Sequence, residues 1–216
     1  NTILTKLSEV LPWWDRSLDL LILTHPHADH LDGLVEVLRR YDVGMVLESG
    51  VNHSIAEYHA WHRELTARRI PVLIARRGQI VRLGDNAAIS ILAPLRSFAG
   101  ASPKNIHDAT IVARLSFASS TALLMGDAET ALERELIRQD AMLLAEVLKV
   151  GHHGSKTSTS DDLLQVSRPR WAVISAGRKN RYGHPTPEVL DRLQRFGIST
   201  HRTDQDGDAL FMSDGR

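Results

Sequence analysis

The chain has 216 residues, with 26 Lys plus Arg against 26 Asp plus Glu: enough for one well-cored domain, and without a net charge to draw it as a whole to nucleic acid or a membrane. Hydrophobic residues make up 43% and charged residues 24%, ordinary for a globular protein, so any polyanion must meet a local patch. No cysteine is present, which excludes disulfides, thiolate nucleophiles and Cys-type zinc sites and leaves N and O ligands for any metal.

Apolar runs alternate with amphipathic helical patterns, which predicts an α/β layered fold in one compact domain over residues 1–216. The opening "NTILTKLSEVLPWWDRSLDL" reads as mid-protein sequence, so a longer protein is expected around it. No apolar run approaches the roughly 20 residues that cross a bilayer. "LDLLILT" (18–24) predicts a strand buried on both faces. "LDGLVEVLRRY" (31–41) predicts a helix, with Leu34, Val37, Leu38 and Tyr41 at helical spacing. "GMVLES" reads as a strand, "SIAEYHAWHRELTARR" as a helix capped by Ser54, and "PVLIA" as a strand. From Gly78 two long segments, "GQIVRLGDNAAISILAP" and "ATIVARLSFASSTALLMGD", read as strands joined by tight turns. Between them "FAGASPKN" (98–105) is the loosest stretch, a surface loop. The helix "ETALERELIRQ", the strand "EVLKV", the loop "GHHGSKTSTSDD", a short helix, the strand "WAVISAG", the loop "RKNRYGHPTP", a helix through Arg195 and a final pair of strands complete the chain.

The chemistry concentrates where these strands end. Eleven histidines exceed what packing needs, and "HPHADH" sets His25, His27, Asp29 and His30 between a strand and a helix. Imidazole and carboxylate suit zinc and similar divalent ions. Alternate residues of an extended segment share a side, so His25 and His27 can grip one ion. Asp29 and His30 can turn toward a second, and two ions roughly 3.5–4 Å apart would polarise a substrate oxygen. A polar turn that merely caps the following helix is the alternative. Further donors lie at three other strand ends: Asp127 in "TALLMGDAE", His152 and His153 in "LKVGHHGSKTS", and His184 in "NRYGHPTP". Asp127 could bridge two ions or only cap the next helix.

Taken in order, "THPHADHLDG", "LLMGDAE", "LKVGHHGSKTS" and "SAGRKNRYGHP" resemble the metallo-β-lactamase superfamily, and within it the hydrolase domain of the ComEC-like DNA-uptake proteins of competence. The resemblance runs from about Leu18 to "TDQDGDALFMSDG". It implies an αββα sandwich of two mixed sheets, with metals on loops at one edge. It matches His25 and His27 to the ligands of a first metal, Asp29 and His30 to those of a second, Asp127 to the bridging carboxylate and the "HH" pair to the late ligand. His153 is the favoured ligand of that pair, with His152 facing substrate. Three positions depart from the family pattern. The first strands, with their "DVGQGD"-like motif, are absent, which leaves one sheet edge incomplete. "NIHDAT" offers Asn105, His107 and Asp108, where His107 either supplements the first metal or sits on an exposed loop. Asp32 replaces a glycine.

The implied cofactors are two divalent ions, zinc or manganese. Asp29 would orient the nucleophile, alone or with Asp127, and His184 or His152 would protonate a leaving alkoxide. Lys156, with Ser155, Thr157 and Ser158, would bind phosphate, with "GSKTS" expected to open a helix. Arg178, Lys179 and Arg181 would add charge. The resemblance implies a nuclease degrading one strand of DNA during uptake, with single-stranded DNA as substrate and a membrane-channel region as partner in the same full-length protein. A soluble domain of a membrane-associated protein is the matching location. A small-phosphodiester esterase, acting on a phosphorylcholine or nucleotide ester, and a non-catalytic metal-stabilised module of a transporter are the alternatives. Two features are set aside: "TDQDGDALFMSDG" lacks the Gly and Glu positions of an EF-hand and reads as a hairpin, and His59 and His62 read as flanks of a core-packing helix face.

Overall fold

The run 18–24 carries a carboxylate at Asp19, and the predicted strand is broken there: Ser17–Leu18 forms β1 and Leu21–Leu23 forms β2. In the computed structural model, which describes residues 2–215, the chain divides into two compact units. The first comprises Asn1–Ala75 and Ser97–Ala109, and the second Arg76–Arg96 and Thr110–Arg216.

In the first unit the helix α1 (Thr2–Val10) precedes β1 and packs beside α2 (Ala28–Arg40). β3 (Asp42–Val43) pairs in parallel with β1. β4 (Val46–Glu48) lies between β2 and β5 (Val72–Ile74) in a three-stranded parallel sheet. The helix α3 (Ala56–Arg68) makes the crossover from β4 to β5. Leu31, Val35 and Leu38 of α2 and Trp61 and Leu65 of α3 fall at helical spacing and are buried with Leu23 and Val46 in one core. Glu48 and Trp61 add a buried polar tie, the indole N–H donating to the carboxylate at 2.8 Å. The helix α3 starts one residue later than the sequence predicts. Ile55, with no side-chain cap bond, is its N-cap, while the ring Nδ1 of His53 accepts from the Ile55 N–H at 3.2 Å. Ser54 therefore does not cap it.

The stretch 98–105 is a surface loop without regular structure, tied down at its start. Phe98 and Ala109 are buried against Val51, and Asn52 donates its backbone N–H to Ala101 and its side chain to Gly100. A composition of small and polar residues reads as loop, but one aromatic with an apolar partner far along the chain anchors it.

The second unit is built on a single seven-stranded mixed sheet. β6 (Ile80–Leu83), β7 (Ala87–Ala93), β8 (Val112–Phe117) and β9 (Ser120–Leu124) run antiparallel. After α4 (Thr130–Arg138), β10 (Val147–Lys149) pairs in parallel with β9. After α5 (Asp161–Ser167), β11 (Trp171–Ile174) joins β10, and after α6 (Pro187–Arg195), β12 (Ser199–Arg202) joins β11. Leu123, Leu148, Ala172 and Ile174 of the central strands are buried against Leu132, Leu136, Leu164 and Leu193 of the helices. "GSKTS" does not open a helix; α5 begins at Asp161, capped by the Ser160 hydroxyl, which accepts from the Leu163 N–H.

The final hairpin also fails to form among the described residues. After β12 the chain enters the short helix α7 (Thr203–Asp206) and then runs without regular structure. The carboxylate of Asp206 accepts from the Arg202 N–H at 2.8 Å and Asp204 pairs with the Arg202 guanidinium at 2.7 Å. Such local side-chain bonds compete with ladder formation.

Candidate metal centre

Each unit carries one cluster of donors, and in both it sits where parallel strands end. In the first unit β2 delivers the loop Thr24–His27 to the start of α2. His25 is fully buried, His27 and His30 are half-buried, and the Asp29 side chain is 59% exposed. The Nε2 atom of His25 and the Nδ1 atom of His27 lie 3.2 Å apart. Two nitrogens on one tetrahedral zinc, at Zn–N of about 2.05 Å, are held roughly 3.3 Å apart. The pair therefore fits a shared cation. The Thr24 hydroxyl stands 3.1 Å from Nδ1 of His25, the other ring nitrogen, and so fixes the ring's rotation. It also lies 3.4 Å from Nδ1 of His30, whose Nε2 is 3.7 Å from the Asp29 carboxylate.

His107 joins this group. Its ring centroid is 4.9 Å from that of His27 and 5.6 Å from that of His25, and each of the three histidines offers a ligand nitrogen within 4.8 Å of the others. It is half-buried on a 3-10 turn, Ile106–Ala109. Of the two sequence readings of His107, the structure supports a place beside the first pair. Asp32 lies on α2 with Asp29, and burial, followed by the charges of Glu57 and Asp29, raises its pKa.

In the second unit β9 delivers Asp127, β10 delivers His152 and His153, and β11 delivers Ser175. Asp127 is buried, and its backbone N–H donates to the Thr110 hydroxyl at 3.2 Å. Its carboxylate oxygens lie 3.6 Å from Nε2 of His153 and 3.9 Å from Nε2 of His152. The Nδ1 atom of His153 is 2.8 Å from the Ser175 carbonyl. A carbonyl only accepts, so Nδ1 carries the proton and Nε2 keeps a lone pair available to a cation. His152 is held differently, between Asp127 and the Glu129 carboxylate, which is 3.5 Å from its Nδ1.

Glu129 is a residue that sequence reasoning missed, although it stands in the quoted "LLMGDAE". Its carboxylate also accepts from the Thr157 hydroxyl at 2.8 Å. Lys149 is a second. Its ammonium donates to the Val150 carbonyl, and burial pushes its pKa down while the charge of Asp127 opposes that shift. Only "EVLKV", a strand with a charge inside it, could have signalled this.

His184 stands over the same cluster. Its ring is 5.8 Å from that of His152, and Asn180 brackets its backbone on both sides, at 2.7 and 2.9 Å. Desolvation, then the neighbouring His153, lowers the His184 pKa. Tyr182 stacks on His184 and carries Arg181 over its outer face, 5.1 Å from the ring centre. Lys156, Arg178, Lys179 and Arg181 are all exposed. Ser155 and Ser158 are buried: the Ser158 hydroxyl donates to the Gly151 carbonyl, and the Ser155 hydroxyl lies 3.1 Å from that of Thr157. These two serines hold the loop's own shape.

No family model matches the chain. ComE operon protein 3 of Bacillus subtilis (strain 168) is 34% identical over 195 residues, covering 89% of this chain and 24% of that protein. Competence protein ComA of Neisseria gonorrhoeae is 31% identical over 199 residues, 91% of this chain and 25% of that one. The chain thus spans about a quarter of the length of the curated relatives it matches. Among solved structures, the metallo-β-lactamase fold protein YhfI from Bacillus subtilis superposes with a TM-score of 0.57 at 12% identity, covering 94% of this chain and 80% of that one. The chain is thus homologous in sequence to these ComEC-family competence proteins over about a quarter of their length, and its fold is that of the metallo-β-lactamase proteins.

Proposed function

We propose that the chain is a metal-dependent phosphodiesterase that cuts single-stranded DNA, serving DNA uptake as part of a membrane-associated protein. The observation that carries the reading is the His25–His27 nitrogen pair at 3.2 Å, a chelating separation on a loop at the end of a parallel strand. The relatives' names supply the competence setting. The proposed ligand set is His25, His27, Asp29, His30, Asp127 and His153, holding two divalent cations, zinc or manganese. His107 is an additional candidate donor. Bound there, the cations would supply polarisation of a phosphoryl oxygen and a nucleophile at neutral pH.

The chain's own residues do the rest. Asp29, largely exposed, orients the nucleophile. His152, steadied by the carboxylates of Asp127 and Glu129, gives a proton to the departing alkoxide, and Glu129 fixes its direction. His184 is the alternative donor on the same face. Lys156 and Lys179 are exposed to meet phosphates, as is Arg181, whose guanidinium rests on Tyr182. Ser155 and Ser158, as buried loop-holders, support this indirectly by shaping the turn that carries Lys156.

The test is cleavage of labelled single-stranded DNA, beside a chromogenic small phosphodiester, with added zinc or manganese. DNA cleavage that falls at least 100-fold in both His27→Ala and Asp127→Ala is expected, since each removes a proposed ligand (on the order of 10–100-fold follows even from losing a ligand's hydrogen-bond partner). Turnover of the small ester alone would replace the nuclease with an esterase. Metal binding without turnover of either substrate would overturn the enzymatic reading.

A further inference from the structure

The first unit contains a cavity of about 740 Å³ bordered by His27 and His107, inside the roughly 300–1,000 Å³ range of ligand sites. We propose that this cavity is a nucleotide subsite, in which a base lies against Tyr58 and His59 and the adjoining phosphate meets Lys104 and His53. The inference rests on the phosphodiesterase reading for its purpose, but its evidence is separate.

Charge is the first argument. None of the residues lining the cavity is acidic, whereas lysine, several histidines, Asn52, Asn105 and Ser102 contribute to it. A wall of donors without a carboxylate suits an anion. A cavity of about 700 Å³ in the second unit is the contrast: Trp171, Phe211 and Arg170 line it together with the carboxylates of Glu146 and Asp214, which offset the guanidinium.

Donor direction is the second. Nδ1 of His53 accepts the Ile55 N–H at 3.2 Å, so the ring proton of the neutral imidazole must sit on Nε2, as a donor. Lys104 is exposed at the cavity wall. Tyr58 and His59, in the first turn of α3, also line the cavity.

A flat surface is the third. Tyr58 is half-buried and packs against the core of the first unit; its hydroxyl donates to the Asn52 side-chain oxygen at 3.3 Å. Its ring lies 4.4 Å from that of His62 and 5.9 Å from that of His59. A ring held from behind loses little entropy when a base stacks on it, and stacking of this kind tolerates any base. Metal chemistry at His27 would then act on a chain whose neighbouring nucleotide is already held, which favours a polymer over a small ester.

The experiment measures equilibrium binding of fluorescein-labelled oligothymidylate of roughly six nucleotides, within the site sizes of single-strand binders, by anisotropy. The full chain is used in chelator, so that cleavage plays no part. Lys104→Ala and His59→Ala alter exposed side chains and leave the fold alone; Lys6→Ala, on α1, is a control of equal charge change. Lys104→Ala should weaken binding about five- to tenfold and reduce the salt slope by about one. His59→Ala should weaken the normal oligonucleotide about threefold or more and leave an abasic one unaffected. Wild-type affinity in both variants, or equal weakening by Lys6→Ala, would overturn the subsite. Weaker binding in the two variants with no metal-dependent cleavage by the wild type would overturn the hydrolase reading and keep the subsite. Metal-dependent cleavage with unchanged binding would do the reverse.

Discussion

His152, His153 and Gly154 have φ of 45°, 54° and 82°, three successive residues in the left-handed region. For the two histidines this backbone costs on the order of 1–3 kcal/mol each, and it persists only because its surroundings over-determine it. Here the surroundings are visible: the Gly126 carbonyl accepts from the His152 N–H, the Gly154 carbonyl from the Thr186 N–H, and the Ser175 carbonyl receives the His153 ring. Gly154 has no latitude at all. A Cβ there would lie 2.6 Å from Cβ of Pro185, at a φ that disfavours side chains anyway. Gly154→Ala should therefore lower stability by about 1–3 kcal/mol, read as a lower urea midpoint, and should cost activity through the displaced His153. An unchanged midpoint would show that the Pro185 turn yields. The glycine was legible as a loop residue; its clash partner was not, because Pro185 reaches it only through the fold.

At the scale of elements, α5 depends on how its start is held. Ser160 caps it through the Leu163 N–H, and Glu133 of α4, fully buried, accepts from the N–H groups of Thr159 at 2.5 Å and Ser160 at 2.9 Å. Arg192 of α6 donates to the carbonyls of Ser158 and Thr159. The turn carrying Lys156 is thus pinned from two helices. Removing the cap with Ser160→Ala should cost about 1 kcal/mol, and calorimetry should show the drop without any change in metal binding. Strands and helices were placed well by periodicity because burial of one face is a local pattern. Their ends were less legible, as at Ser54 and in the expected final hairpin, because caps and turns are settled by which hydrogen bond wins.

At the scale of the whole molecule, stability should respond to pH and to metal. Burial raises the pKa of Glu133 against the lowering effect of its hydrogen bonds from Ser160 and Thr159 and of the Arg192 charge. Between the ordinary carboxylate value and the raised one, the folded chain keeps a proton that the unfolded chain has lost. Its contribution is therefore full at acid pH and is lost as pH rises through the folded value. Urea titrations from about pH 4 upward, starting near the ordinary carboxylate value, should show the stability advantage of wild type over Glu133→Gln shrinking as pH rises. A difference that grows with pH would mean that Glu133 is charged in the fold. Saturating zinc or manganese should raise the melting temperature of the wild type, a gain of about 2.7 kcal/mol at 100 times the dissociation constant, and His27→Ala should lose most of it.

The sequence by itself determined the α/β class, the elements that carry the loops, and the chemistry of "HPHADH", because His25 and His27 are neighbours in an extended segment and their convergence is local geometry. It also marked Asp127, the "HH" pair and His184 as donors at strand ends. Only the tertiary structure decided that His107 stands beside His25 and His27, that Glu129 holds His152, that His153 turns its Nδ1 to Ser175, and that Ser158 is a buried strut. Each of these depends on segments distant in the chain meeting with one rotation of a side chain. Periodicity encodes which face is buried, and it carries nothing about which partner lies across from that face.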